Sequence, residues 1–60
     1  MRIYLDSRPL QLLPGMVVRH ALIRAGLLQE IDSGKKVYDA WGNEVDLDGA
    51  LEDGMKLWVR

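Results

Sequence analysis

Sixty residues, 48% of them apolar and 28% charged, with no cysteine and a formal net charge of −1, are enough for one small domain. The composition is too apolar and too near neutrality for a disordered tail. Without cysteine there is neither a disulfide framework nor a thiolate metal site, and a domain of this size buries only about 60% of its unfolded surface, leaving little stability for a deep catalytic pocket.

Arg2-Ile3-Tyr4-Leu5 opens as a strand, with Ile3 and Leu5 on one face and Tyr4 on the other. Asp6-Ser7-Arg8-Pro9 reads as a turn and Leu10-Gln11-Leu12 resumes the alternation. Residues 2–13 are therefore expected to form a hairpin, which Pro14-Gly15 stops. The period changes at Met16. Val17, Ala21 and Ala25 recur at helical spacing beside Val18 and Leu22, which predicts an amphipathic helix of about ten residues with His20 on its flank. Gly26 is placed to be its left-handed C-terminal cap.

Residues 27–31 fit either an extra helical turn or an apolar loop beneath a sheet, and Asp32-Ser33-Gly34 breaks the pattern. Residues 36–40 read as a third strand, 41–44 as a turn, and 45–51 as a short strand with a turn. Residues 55–60 form the clearest strand, Met55, Leu57 and Val59 facing in and Lys56, Trp58 and Arg60 facing out. The order β-β-α-β-(β)-β predicts an α+β roll in a single domain, residues 1–60, whose helix covers one sheet face.

Charge is uneven along the chain. Residues 1–36 carry six bases and three acids, whereas residues 37–60 carry two bases and six acids. That asymmetry fits an acidic docking edge, a basic nucleic-acid face, or simply solvated turns where Asp46, Asp48 and Asp53 stand near glycines. A pI near 5.6 opposes general nucleic-acid affinity, and DNA is not expected as a partner.

Three stretches carry a family resemblance: Leu12-Leu13-Pro14-Gly15-Met16-Val17 before the helix, residues 37–45, and Ala50-Leu51-Glu52-Asp53-Gly54-Met55-Lys56-Leu57-Trp58-Val59. Together the chain resembles the small β-grasp (ubiquitin-like) group. The last stretch is similar to the L-x-D-G-D-x-V turn of ThiS/MoaD-type sulfur carriers and of TGS and SLBB domains, with Met55 in place of the usual Asp. The resemblance implies a four- to five-stranded mixed sheet packed on one helix, with the first and last strands parallel at its centre. Sulfur carriers of this type work through a mobile Gly-Gly tail whose carboxylate is adenylated and converted to a thiocarboxylate. This chain ends at Arg60 with no glycine pair, so the carrier reading requires a native chain extending to such a tail.

Other chemistry finds little support. Residues 44–55 approach a calcium loop, with carboxylates at the first, third and fifth positions and glycine at the sixth, but Met55 stands where a bidentate Glu should close the shell. His20 is the single histidine, and Ser7 and Ser33 lack a nucleophile-elbow context. No glycine-rich phosphate loop occurs. The expectation is no catalytic residue, no metal and no cofactor, hence not an enzyme. With no apolar run long enough to span a bilayer and no signal peptide, a soluble cytoplasmic domain without membrane contact is expected.

What remains is the outward face of the sheet. If the first and last strands are neighbours, Arg2, Tyr4, Lys56, Trp58 and Arg60 form an aromatic patch framed by bases. Trp, Tyr and Arg are enriched among binding hot spots, so the leading expectation is a non-catalytic module that binds a protein partner there. Alternatively Tyr4 and Trp58 stack on RNA or a small ligand, as in TGS or SLBB modules, or only on each other as a cross-strand pair. Trp41 either closes the core's edge or extends a binding surface. An exposed edge at residues 10–13 or 36–40 offers a homodimer contact, partly guarded by Pro14, Lys35 and Lys36.

Overall fold

The computed structural model describes residues 1–60 throughout. The chain runs β1 (Arg2–Leu5), β2 (Arg8–Gln11), α1 (Val18–Ala25), α2 (Leu28–Asp32), β3 (Val37–Asp39), β4 (Glu44–Val45) and β5 (Lys56–Val59). The strands form one mixed sheet in the order β2-β1-β5-β3-β4. β1 and β5 are parallel neighbours and the other pairings are antiparallel. The architecture is α+β. No helix is long and apolar enough to cross a membrane.

The hairpin turns more tightly than its composition suggests. Asp6 and Ser7 alone make the turn, with φ of 51° and 70°. Two positive φ values in a two-residue loop match the right-handed twist of the flanking strands, and a short polar residue such as Asp tolerates them. Arg8 and Pro9 therefore belong to β2, where Pro9 faces Tyr4. Met1 and Leu12 exchange both backbone hydrogen bonds, so the antiparallel alternation puts Pro9 at a non-hydrogen-bonded pair. Its missing N–H points off the rim, a position where proline is tolerated.

Alternation sorts the side chains. Ile3 and Leu5 of β1, Val37 of β3, and Leu57 and Val59 of β5 join Leu12 and the helical Val18, Ala21 and Leu22 in one buried aliphatic core. Leu27, Leu28 and Ile31 pack against it, so the ambiguous stretch after Gly26 is a second short helix, α2. Gly26 separates the two helices at φ 73°, where its N–H bonds the Ile23 carbonyl and the Leu27 N–H bonds that of Leu22. That double bond pattern closes α1 as expected.

α1 starts two residues after the change of period at Met16, where no Ser, Thr, Asp or Asn cap marks the boundary. The helix begins at Val18 and spans eight residues, because Val17 is extended and bridges Ala50. The first free N–H groups find acceptors far along the chain. Val18 donates to the Gly49 carbonyl at 3.1 Å and Arg19 to that of Leu47 at 2.8 Å. Val17 N–H is accepted by His20 Nδ1 at 2.9 Å, which gives the lone histidine a local capping role.

One expectation about the sheet edges is corrected. Residues 36–40 are not an edge: β3 lies between β5 and β4, and the rims of the sheet are β2 and the two-residue β4. Pro9 lies within β2 on this rim, and Pro14 in the turn beyond the strand. The Asp-rich turns are solvated as expected, Asp46, Asp48 and Asp53 all being exposed, and several of their carboxylates also hold neighbouring groups. Asp53 Oδ1 accepts the Arg2 N–H at 2.7 Å, Asp39 Oδ1 accepts those of Trp41 and Asn43 at 2.9 and 3.0 Å, and Asp48 pairs with Arg19 at 2.6 Å. In the stretch that approaches a calcium loop, the Leu47 and Gly49 carbonyls cap α1.

Candidate functional site

The sheet face turned away from the helices carries the side chains that alternate with the core. On β1 these are Arg2 and Tyr4, on β5 Lys56 and Trp58, and on β3 Tyr38. The parallel register sets Tyr4 beside Lys56, and the antiparallel one sets Trp58 opposite Tyr38. Tyr4 and Trp58 are thus not direct cross-strand partners. They stand on a diagonal and together with Ser7 and Lys56 line one open groove. All three aromatic rings are half-buried, so each keeps part of its surface in water.

Tyr38 belongs to this face although the outward pattern of β1 and β5 alone does not reveal it. Its signal is local: Val37 points inward, so its successor points out. What a single strand cannot show is that β3 adjoins β5, which makes Tyr38 the direct cross-strand partner of Trp58.

Arg60 behaves differently from the free cation expected at the end of β5. Its Nη1 donates to Asp6 Oδ1 at 2.8 Å and to the Val59 carbonyl at 2.7 Å. Asp6 Oδ1 also accepts the Val59 N–H at 3.2 Å, continuing the β1–β5 ladder past the point where β1 turns away. Arg60 is therefore a clasp between strand ends. Lys36 is similarly occupied, with Glu44 at 3.6 Å. Arg2 and Lys56 remain exposed and outside every ion pair.

Trp41 does not close the core. At 84% exposure it is the most solvent-facing large apolar residue. The Asp39 bonds to Trp41 and Asn43 hold its turn, and beside it runs a cleft lined by Ala40, Glu52, Asp53, Met55 and Lys56. Lys56 therefore sits on the ridge between two clefts, one aromatic and one edged with carboxylates. No group of three metal-ligating side chains converges anywhere in the molecule.

Comparison of the chain with models of known protein families, with curated proteins and with solved structures returns no match.

Proposed function

We propose that this chain is a β-grasp interaction module that does no chemistry of its own and recognises a protein partner through the open face of its sheet. The β-grasp reading is supported by the strand order β2-β1-β5-β3-β4, by the parallel pairing of β1 with β5, and by helices on one face only. The observation that carries the functional reading is the set of rings on that uncovered face, with Tyr4 beside Lys56, Trp58 sharing their groove, and Tyr38 opposite Trp58. A tyrosine or tryptophan fixed in a sheet offers large contact area for few rotatable bonds, so little entropy is lost when a partner covers it. Aliphatic residues complete the core without these rings, which leaves their open surface available for contact.

The test is a partner recovered by cross-linking with the wild-type chain and identified by mass spectrometry. Trp58→Ala should abolish its recovery while leaving the circular dichroism spectrum and cooperative melting in place. Unfolding of that variant, or undiminished recovery with it, makes the rings a structural brace and ends the proposal.

A further inference from the structure

Resting on the reading of the open face as an interface, we propose that the partner segment places an acidic side chain, flanked by apolar ones, against Lys56 and Arg2. The inference follows from which cations the fold leaves over. Of the eight bases, four have carboxylate partners: Arg19 with Asp48 at 2.6 Å, Lys35 with Glu30 at 3.4 Å, Lys36 with Glu44 at 3.6 Å, and Arg60 with Asp6 at 2.8 Å. Arg24 leans on the Gln11 carbonyl at 3.4 Å. Arg8 lies opposite Leu5 and lines a cleft with Ala25 and Leu27, on the side of the helices. Arg2 and Lys56 are left on the open face, exposed and with no carboxylate in ion-pair range of their charged groups, although Asp53 accepts the Arg2 backbone N–H at 2.7 Å.

Their neighbours define the rest of the complement. Tyr4 adjoins Lys56 across β1 and β5, and Trp58 follows two residues along the same strand. A carboxylate seated on the ammonium thus has aromatic surface beside it for an aliphatic or aromatic neighbour. Excluding water around such a pair strengthens its attraction. The match is to one or two negative charges and not to a polyanion. Lys36 and Arg60 are already neutralised, Glu44 faces Tyr38 on the same side, and Asp39, Glu52 and Asp53 edge the cleft beyond Lys56. A nucleic-acid backbone, with a charge at every phosphate, would run onto those carboxylates and gain little from counterion release.

The experiment pans a random peptide library displayed on phage against the full chain, then titrates the enriched peptides into isotopically labelled protein. Enriched sequences should share an Asp or Glu beside a Leu, Ile, Phe or Trp, and should shift the amides of Tyr4, Tyr38, Lys56 and Trp58. Lys56→Glu should weaken them about tenfold or more. Replacing the peptide's acid by Lys should restore binding to that variant, a reversal that misfolding cannot produce. No enrichment, enrichment without a shared acid, or indifference to Lys56→Glu overturns the proposal. Shifts confined to the open face without acid preference remove the acid seat and keep the interface; shifts confined to the helices or the Trp41 turn remove both. Two other occupants would also overturn it. One is oligouridine binding more tightly than any peptide and weakening steeply with salt. The other is a dimer in sedimentation that Lys56→Glu dissolves, which would make the occupant a second copy.

Discussion

β5 shows two kinds of surface within four residues. Toward the helices it turns Leu57 and Val59, both buried among aliphatic neighbours from β1, β3 and α1. Toward solvent it turns Lys56 and Trp58, bordered by Tyr4 and Tyr38. Every tyrosine and one of the two tryptophans stand on the outer side, and no aromatic residue is among the buried nine. The difference teaches where stability and recognition are invested. The inner face holds the fold with small, branched side chains, while the outer face keeps the bulky, polar-tipped rings that a partner can grip.

The largest disruption of that division is expected from Leu57→Ala. Removing a fully buried leucine from a core this small should cost about 2–5 kcal/mol, most of the stability a domain of such size has. Loss of the cooperative thermal transition by circular dichroism is the readout; a variant that melts like wild type would show that the inner face does not carry the fold. Gly49→Ala comes next. A Cβ there would stand 3.0 Å from the Asp46 carbonyl and 3.2 Å from Val45 Cγ1, under the first turn of α1. About 1–3 kcal/mol is expected from this overpacking, read as a lower urea midpoint with an unchanged slope.

On the outer face the effects on stability should shrink. Tyr38→Ala removes a cross-strand neighbour of Trp58 and should cost about 1 kcal/mol or less, with a blue or red shift of Trp58 emission as its environment changes. A loss as large as that of Leu57→Ala would erase the distinction between the faces. His20→Ala is the smallest, about 0.5 kcal/mol, since an exposed Val17 N–H turns to water when its imidazole acceptor is gone. Its fingerprint is faster amide exchange at Val17 with the rest of α1 unchanged.

Much of the fold is legible from period and turn chemistry. The alternation of β5 sorts its inner and outer residues correctly, and Gly26 announces the end of α1 because only a left-handed residue closes a helix that way. Elsewhere the same letters hide different tasks. Asp48-Gly49 and Asp53-Gly54 look alike, yet Gly54 has φ 84° with open space around its Cα, whereas Gly49 needs the absence of a side chain where the backbone of the turn closes on α1. Sequence spacing carries φ preferences but not the approach of distant segments. The face was half legible for the same reason. Arg2, Tyr4, Lys56 and Trp58 follow from two strands taken as neighbours, while Tyr38 needs the β3–β5 register and Arg60 needs the reach of Asp6 around the hairpin.

The borrowed start of α1 bears on how this molecule assembles. A helix of eight residues is too short to persist alone, since nucleation fixes several dihedrals before the first bond repays it. Here its opening amides are also answered by Leu47 and Gly49, some thirty positions downstream. The first turn of the helix and the 47–49 turn therefore brace each other, and each is expected to lose part of its support when the other opens. Amide exchange should show Val18 and Arg19 opening at the free energy of global unfolding, not at that of a fraying end.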